Sequence, residues 1–158
     1  MLQQMDADDI PEMLGDPKKV VAAIQHYAEE DRVDLDKAWH GIHFLLTGTA
    51  WGGTPPLSYL VVGGENVCPV DMGYGPVRLL RPPEVRAFAK ALAGLDEGTL
   101  RSRFDPARMR ELDIYPEIWD RPDELEDSLA YLLDNFAMLR DFVGRASEAG
   151  RALLINIS

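Results

Sequence analysis

The chain has 158 residues, 46% apolar and 27% charged, a size and mixture expected of one domain that buries its own core. A formal charge of -11 argues against nucleic acid and anionic lipid as partners, because binding there depends on cationic side chains that release counterions. A cationic protein partner or a cationic small ligand fits better.

The opening segment MLQQMDADDIPEML is acidic and lacks the basic and apolar regions of a signal peptide. No apolar run approaches the roughly 20 residues that span a bilayer. Asp16 as cap and Pro17 in the first turn start a helix. Its Val20, Val21, Ile24, Tyr27 and Ala28 recur at helical spacing to about Glu30. Asp34 is expected to cap a second helix from Leu35 to Gly48, with Leu35, Ala38, Trp39, Ile42, Leu45 and Leu46 as its apolar stripe.

From Gly48 to Pro76 glycine and proline dominate, so backbone freedom outweighs regular structure. Within it Leu57 to Val62 reads as either a short helix or a strand. Val77 to Arg81 reads as a strand. Pro82 and Pro83 then start a helix with Val85, Phe88, Ala89 and Leu92 inward, closed by Gly94. Short helices follow Asp96 and Asp105. LDIYPEIWDRP breaks regularity, and Asp120 is expected to cap the longest helix, whose inward face runs from Leu125 to Val143. ALLINIS supplies a C-terminal strand. The lone Cys68, before Pro69 and without a basic neighbour, reads as inert filler, and the absence of a CxxC pair fits a reducing, cytoplasmic setting. The expected fold class is α+β, α/β-like, predominantly helical, with helices packed about a small sheet that includes the C-terminal strand.

The segments LDKAWHGIHFLLTG, DMGYGPVRLL, RSRFDPARM, LDIYPEIWDR and the closing helix with ALLINIS together resemble, in order, the YfbM-like family of bacterial proteins, which has no assigned activity. The resemblance runs from about Leu35 to Ser158. It implies an αβ fold in one domain and no particular chemistry. It also implies a short apolar strand before the first helix, from which MLQQMDADDI departs. With that strand lost or lying upstream, the sheet would keep an open edge, a place for homodimerisation by strand addition.

Three constellations are candidates for function. On a helix advancing about 100° per residue, Asp36, His40, His43 and Thr47 share an arc beside the apolar stripe. A carboxylate there could orient a histidine for general acid or base work, as in a small hydrolase or transferase. The alternative is packing histidines, with Asp36 on the helix dipole. With no third fixed ligand, no metal is expected. The second constellation is the glycine-rich segment, where Trp51, Asp71, Tyr74 and Arg78 either rim a ligand pocket or pack back on the core. Neither GGTPP nor VVGGEN continues into a nucleotide-binding pattern, and no cofactor is expected. The third is LDIYPEIWD, where Tyr115 and Trp119 either receive a cationic group or bury their rings in an ordinary turn. The function expected is non-enzymatic binding of an unknown protein partner or small ligand.

Overall fold

A computed structural model describes residues 1–158 apart from Gly15, Tyr27, Met72 and Ser158. In chain order the elements are β1 (Leu2–Met5), α1 (Ile10–Leu14), α2 (Pro17–Gln25), β2 (Arg32–Val33), α3 (Ala38–Thr47), β3 (Glu65–Asp71), β4 (Pro76–Leu80), α4 (Pro82–Ala93), α5 (Glu97–Arg103), α6 (Pro106–Glu111), α7 (Leu125–Glu148) and β5 (Ala152–Ile155). The strands form one antiparallel sheet in the order β2-β1-β5-β4-β3. The fold is α+β, as the sequence implies.

Strand alternation divides the core in two. Leu2, Leu80, Leu153 and Ile155 face a large cluster built with α3, α4 and α7. Val77, Leu79, Ala152 and Leu154 face a smaller one built with Ile10, Met13, Val20 and Ile24 of α1 and α2. Covered on both faces, β5 is buried throughout, which explains an unbroken apolar run where a half-exposed strand would alternate. Among the described residues no helix is long and apolar enough to cross a membrane.

The N-terminal strand, expected to be missing, is present. β1 pairs Leu2 with Ile155 and Gln3 with Leu154, and sits between β2 and β5. Its two glutamines hide it from apolar patterning, and the pairing partners supply what propensity does not. The sheet edges are therefore β2, two residues long, and β3, whose pairing with β4 shifts register between Asn66 and Asp71. Short strands and irregular register both blunt an edge. β3 itself is not foreseen, because Pro69 and the flanking glycines break its pattern.

Aspartate caps explain three of the helix starts. Asp16, Asp96 and Asp105 accept from the backbone N–H groups of Lys18, Thr99 and Arg108. Three boundaries differ from expectation. α2 ends at Gln25 and not near Glu30, since Glu29, Glu30 and Asp31 would set negative charge against the negative end of its dipole. Tyr27 lies outside the described residues. Leu57 to Leu60 is a 3-10 turn. Asp120 does not cap α7. It pairs with Arg110 at 2.8 Å, and a 3-10 turn at Pro122–Glu124 leads into the helix at Leu125.

The third boundary shift bears on function. α3 begins at Ala38, three residues later than expected, because the Asp34 carboxylate accepts from Asp36 N–H in a local turn and Asp36 takes φ 45. α3 then packs closely on α7. A Cβ on Gly41 would stand 2.6 Å from Leu132 Cδ2 and 3.2 Å from the Trp119 ring.

Candidate functional site

Trp39 and His40 open the first turn of α3. At its other end Gly48 takes φ 72, a left-handed stop that suits glycine. Hydroxyls then fold the chain back. Thr47 Oγ1 donates to the His43 carbonyl at 2.8 Å and accepts from Thr49 N–H at 3.2 Å, and Thr49 Oγ1 accepts from Gly52 N–H at 3.1 Å. The reversal brings Trp51 over His40, with ring centroids 4.5 Å apart. Tyr74 arrives from the turn between β3 and β4, flanked by Gly73 at φ 133 and Gly75 at φ 111, with its N–H on the Ile157 carbonyl. Tyr115 comes from the segment after α6.

Five rings from four separate segments thus form one cluster. Trp39 stacks on His40 at 4.7 Å and 10°, and on Tyr115 at 6.0 Å and 21°. Tyr74 lies 5.2 Å from Trp39, 6.0 Å from Trp51 and 6.1 Å from Tyr115. Trp39 and His40 are sealed beneath, whereas Trp51 is 51% and Tyr74 46% exposed. Two large aromatic faces are thus left half open to water above a buried pair of rings.

His40 is neutral and fixed. Its Nδ1 accepts the Tyr115 N–H at 3.0 Å, so the proton sits on Nε2, which donates to the Ala50 carbonyl at 2.8 Å. Burial pushes its pKa below the ordinary histidine value, against the opposing pull of that carbonyl. His43, one turn on, is fully buried, and among the described residues neither ring nitrogen has a hydrogen-bond partner. Burial above all, with the Arg78 charge adding to it, pushes it down to about 4, with the Gly52 backbone acting the other way.

The expected arc of Asp36, His40 and His43 does not assemble. Asp36 stands in the turn before α3 and accepts the Tyr131 hydroxyl at 3.0 Å. Both nitrogens of His40 are taken by backbone, and those of His43 have no hydrogen-bond partner among the described residues within normal geometry. Of the glycine-rich candidates, Trp51 and Tyr74 meet as rim rings, and the side chain of Asp71 lies outside the described residues. Arg78 is a buried clamp, donating to the carbonyls of Tyr59 at 2.9 Å, Leu60 at 2.8 Å and Gly63 at 3.0 Å. Burial lowers its pKa to about 10, still charged at neutral pH.

In the third segment Tyr115 joins the cluster and Trp119 does not. Trp119 is 2% exposed, stacks on Tyr131, and donates from Nε1 to the carbonyls of Ile114 at 3.0 Å and Tyr115 at 3.1 Å. It fixes the backbone that carries Tyr115. Sequence reasoning missed Trp39, taken only as core. The signal was its adjacency to His40, which puts two flat rings side by side at one helix end. Among the described residues no group of three or more His, Cys, Asp or Glu side chains could hold a metal ion.

Residues 1–156 match a family described as a domain of unknown function, DUF1877. The chain is 28% identical over 159 residues to Protein YfbM of Escherichia coli (strain K12), covering 96% of this chain and 93% of that one. It also superposes on a crystal structure described as a protein of unknown function, YfbM from Escherichia coli, with a TM-score of 0.77 and 25% identity, over 97% of this chain and 95% of that one. Neither description assigns an activity. The resemblance seen in five collinear motifs therefore extends over the whole fold, β1 included, and the chain belongs to the DUF1877 family of YfbM-like proteins.

Proposed function

We propose that the protein is a non-enzymatic binding protein that receives a cationic side chain of a partner polypeptide, an arginine above all, on the aromatic cluster. The observation that carries this is the cluster itself. Five packed rings bear no positive charge, since His40 is held neutral by its two backbone partners, and two of them present half their surface to water. A guanidinium stacks on such faces with a gain of about 0.5–2 kcal/mol per contact, and the charge of -11 favours its approach.

The hydrolase or transferase alternative, with Asp36 orienting His40 or His43, draws no support from this arrangement, because Asp36 bonds the Tyr131 hydroxyl, both ring nitrogens of His40 are taken by backbone, and those of His43 are buried.

The test is a titration with an arginine-containing peptide and its citrulline counterpart, a neutral isostere, followed by tryptophan fluorescence and by the indole N–H resonances. Arginine should shift the Trp51 signal saturably, and citrulline should do so at least about tenfold more weakly. Equal responses, or none, would reject a cation-selective surface.

A further inference from the structure

His40 lies against both Trp39 and Trp51 with its two ring nitrogens engaged. Nδ1 accepts the Tyr115 N–H at 3.0 Å, and Nε2 donates to the Ala50 carbonyl at 2.8 Å. Only a neutral imidazole with its proton on Nε2 can make that pair of bonds. Resting on the cation-binding reading of the cluster, we infer that His40 is its pH switch: a proton taken up at Nδ1 breaks the bond to Tyr115, puts positive charge among the rings and releases the bound cationic side chain.

One proton acts on the site in two ways. The first is geometric. Once Nδ1 carries a hydrogen, two N–H groups face each other across the bond that held Tyr115, and the segment must move. The Tyr115 ring stacks on Trp39 and stands 6.1 Å from Tyr74, so its displacement loosens rings on both sides. The second is electrostatic. The imidazole centroid is 4.7 Å from Trp39 and 4.5 Å from Trp51. An imidazolium there takes the indole faces for its own cation–π contact and repels a guanidinium arriving at Trp51.

The surroundings hold the ring neutral until the solution turns acid. Burial lowers the His40 pKa, with the Ala50 carbonyl opposing. The titratable or charged groups around it are His43 on its own helix, Arg78 of β4 acting through His43, and the phenols of Tyr74 and Tyr115. Both ring nitrogens are occupied by backbone, so no carboxylate pairs with the ring. The neutral, bracketing form is therefore complete above the ordinary histidine value of about 6.5. It is lost as pH falls through the lower value of the folded protein.

The experiment has two arms, both on the full chain. In the first, without ligand, NMR follows the His40 ring nitrogens and the Tyr115 amide from about pH 7.5 to about pH 4.5. Both should move with one midpoint below about 6.5, and the Trp51 indole resonance should move with them. The β5 amides should stay dispersed. A ring that never takes the proton, a Tyr115 amide indifferent to it, or loss of the β5 amides in the same step would each overturn the switch. In the second arm an end-blocked arginine peptide without histidine or carboxylates is titrated at about pH 7.5 and at one unit below that midpoint, where about nine-tenths of the rings are protonated. Affinity should fall about tenfold. His43→Leu should keep the fall. His40→Gln, whose amide also offers a donor and an acceptor but does not titrate, should lose it; if that variant fails to fold, the first arm decides on the parent chain. Equal affinity at both pH values rejects the switch alone, whereas no binding at about pH 7.5 rejects the cation-binding reading and the release with it.

Discussion

The backbone N–H of Tyr115 donates to Nδ1 of His40 at 3.0 Å, across 75 positions of sequence. With Nε2 donating to Ala50, one imidazole ties together three segments that have no helix or strand in common. Its role is that of a two-ended bracket. His40→Leu would orphan a partly buried N–H and a partly buried carbonyl at once, and should cost roughly 1–3 kcal/mol in urea unfolding. A loss below about 0.5 kcal/mol would show that water replaces both partners.

His43 should set part of the acid sensitivity. Unfolded, it titrates near about 6.5, and buried it is pushed down to about 4. Between those values the unfolded chain takes a proton that the folded protein refuses. Stability present above the unfolded value therefore declines as pH falls toward the folded one, and changes no further below it. His43→Leu should remove about 2 kcal/mol of the loss between about pH 7 and pH 5. Because neither ring nitrogen has a partner among the described residues, the same variant should be as stable as the parent at neutral pH, or more so. Parallel urea curves at the two pH values measure both effects, and an unchanged pH slope would count against His43 as the titrating group.

Arg78 closes the base of the glycine-rich loop by donating to three carbonyls between Tyr59 and Gly63. Arg78→Met leaves those oxygens unpaired beneath the loop and should destabilise by roughly 3–5 kcal/mol. Amide exchange in residues 57 to 64 should speed up first, and exchange that stays slow there would mean that the loop holds by packing alone.

At Gly41 α3 lies close against Leu132 of α7, with no room for a side chain. Gly41→Ala drives a methyl into Leu132 and against the Trp119 ring, both buried. The expected cost is about 1–3 kcal/mol, with a change in tryptophan emission as Trp119 shifts. Unaltered emission together with unaltered stability would place the helices further apart than described.

Trp51→Ala and Tyr74→Ala remove half-exposed rings from the top of the cluster. Each should cost less than about 1 kcal/mol of stability yet abolish the arginine-selective response. Loss of stability with binding intact would make the two rings packing elements.

The sequence exposes those parts whose cause is local. Asp16, Asp96 and Asp105 announce their helices because a side-chain cap acts within three residues, and α7 is legible because its apolar stripe repeats over many turns. β1 is not legible, since Leu2-Gln3-Gln4-Met5 becomes a strand only through Ala152 to Ile155 far along the chain. The start of α3 is missed because Asp36 adopts a left-handed backbone that local propensity does not anticipate. For the site, Trp51, Tyr74 and Tyr115 are each visible as aromatics in irregular segments. Their convergence is a tertiary fact, as are the two backbone partners of His40, one of them 75 positions away.

β1 and β5 lie side by side at the centre of the sheet, with Leu2 opposite Ile155 and Met5 opposite Ala152. On a ribosome adding roughly 5–20 residues per second, β3 and β4 can form their hairpin early. β1 must wait through the synthesis of α4, α5, α6 and α7 before its main partner exists. A waiting strand is an open template for the wrong neighbour. Two glutamines in a four-residue segment make it a poor nucleus for aggregation. The polarity that hides β1 from sequence reading protects the nascent chain until the sheet can close.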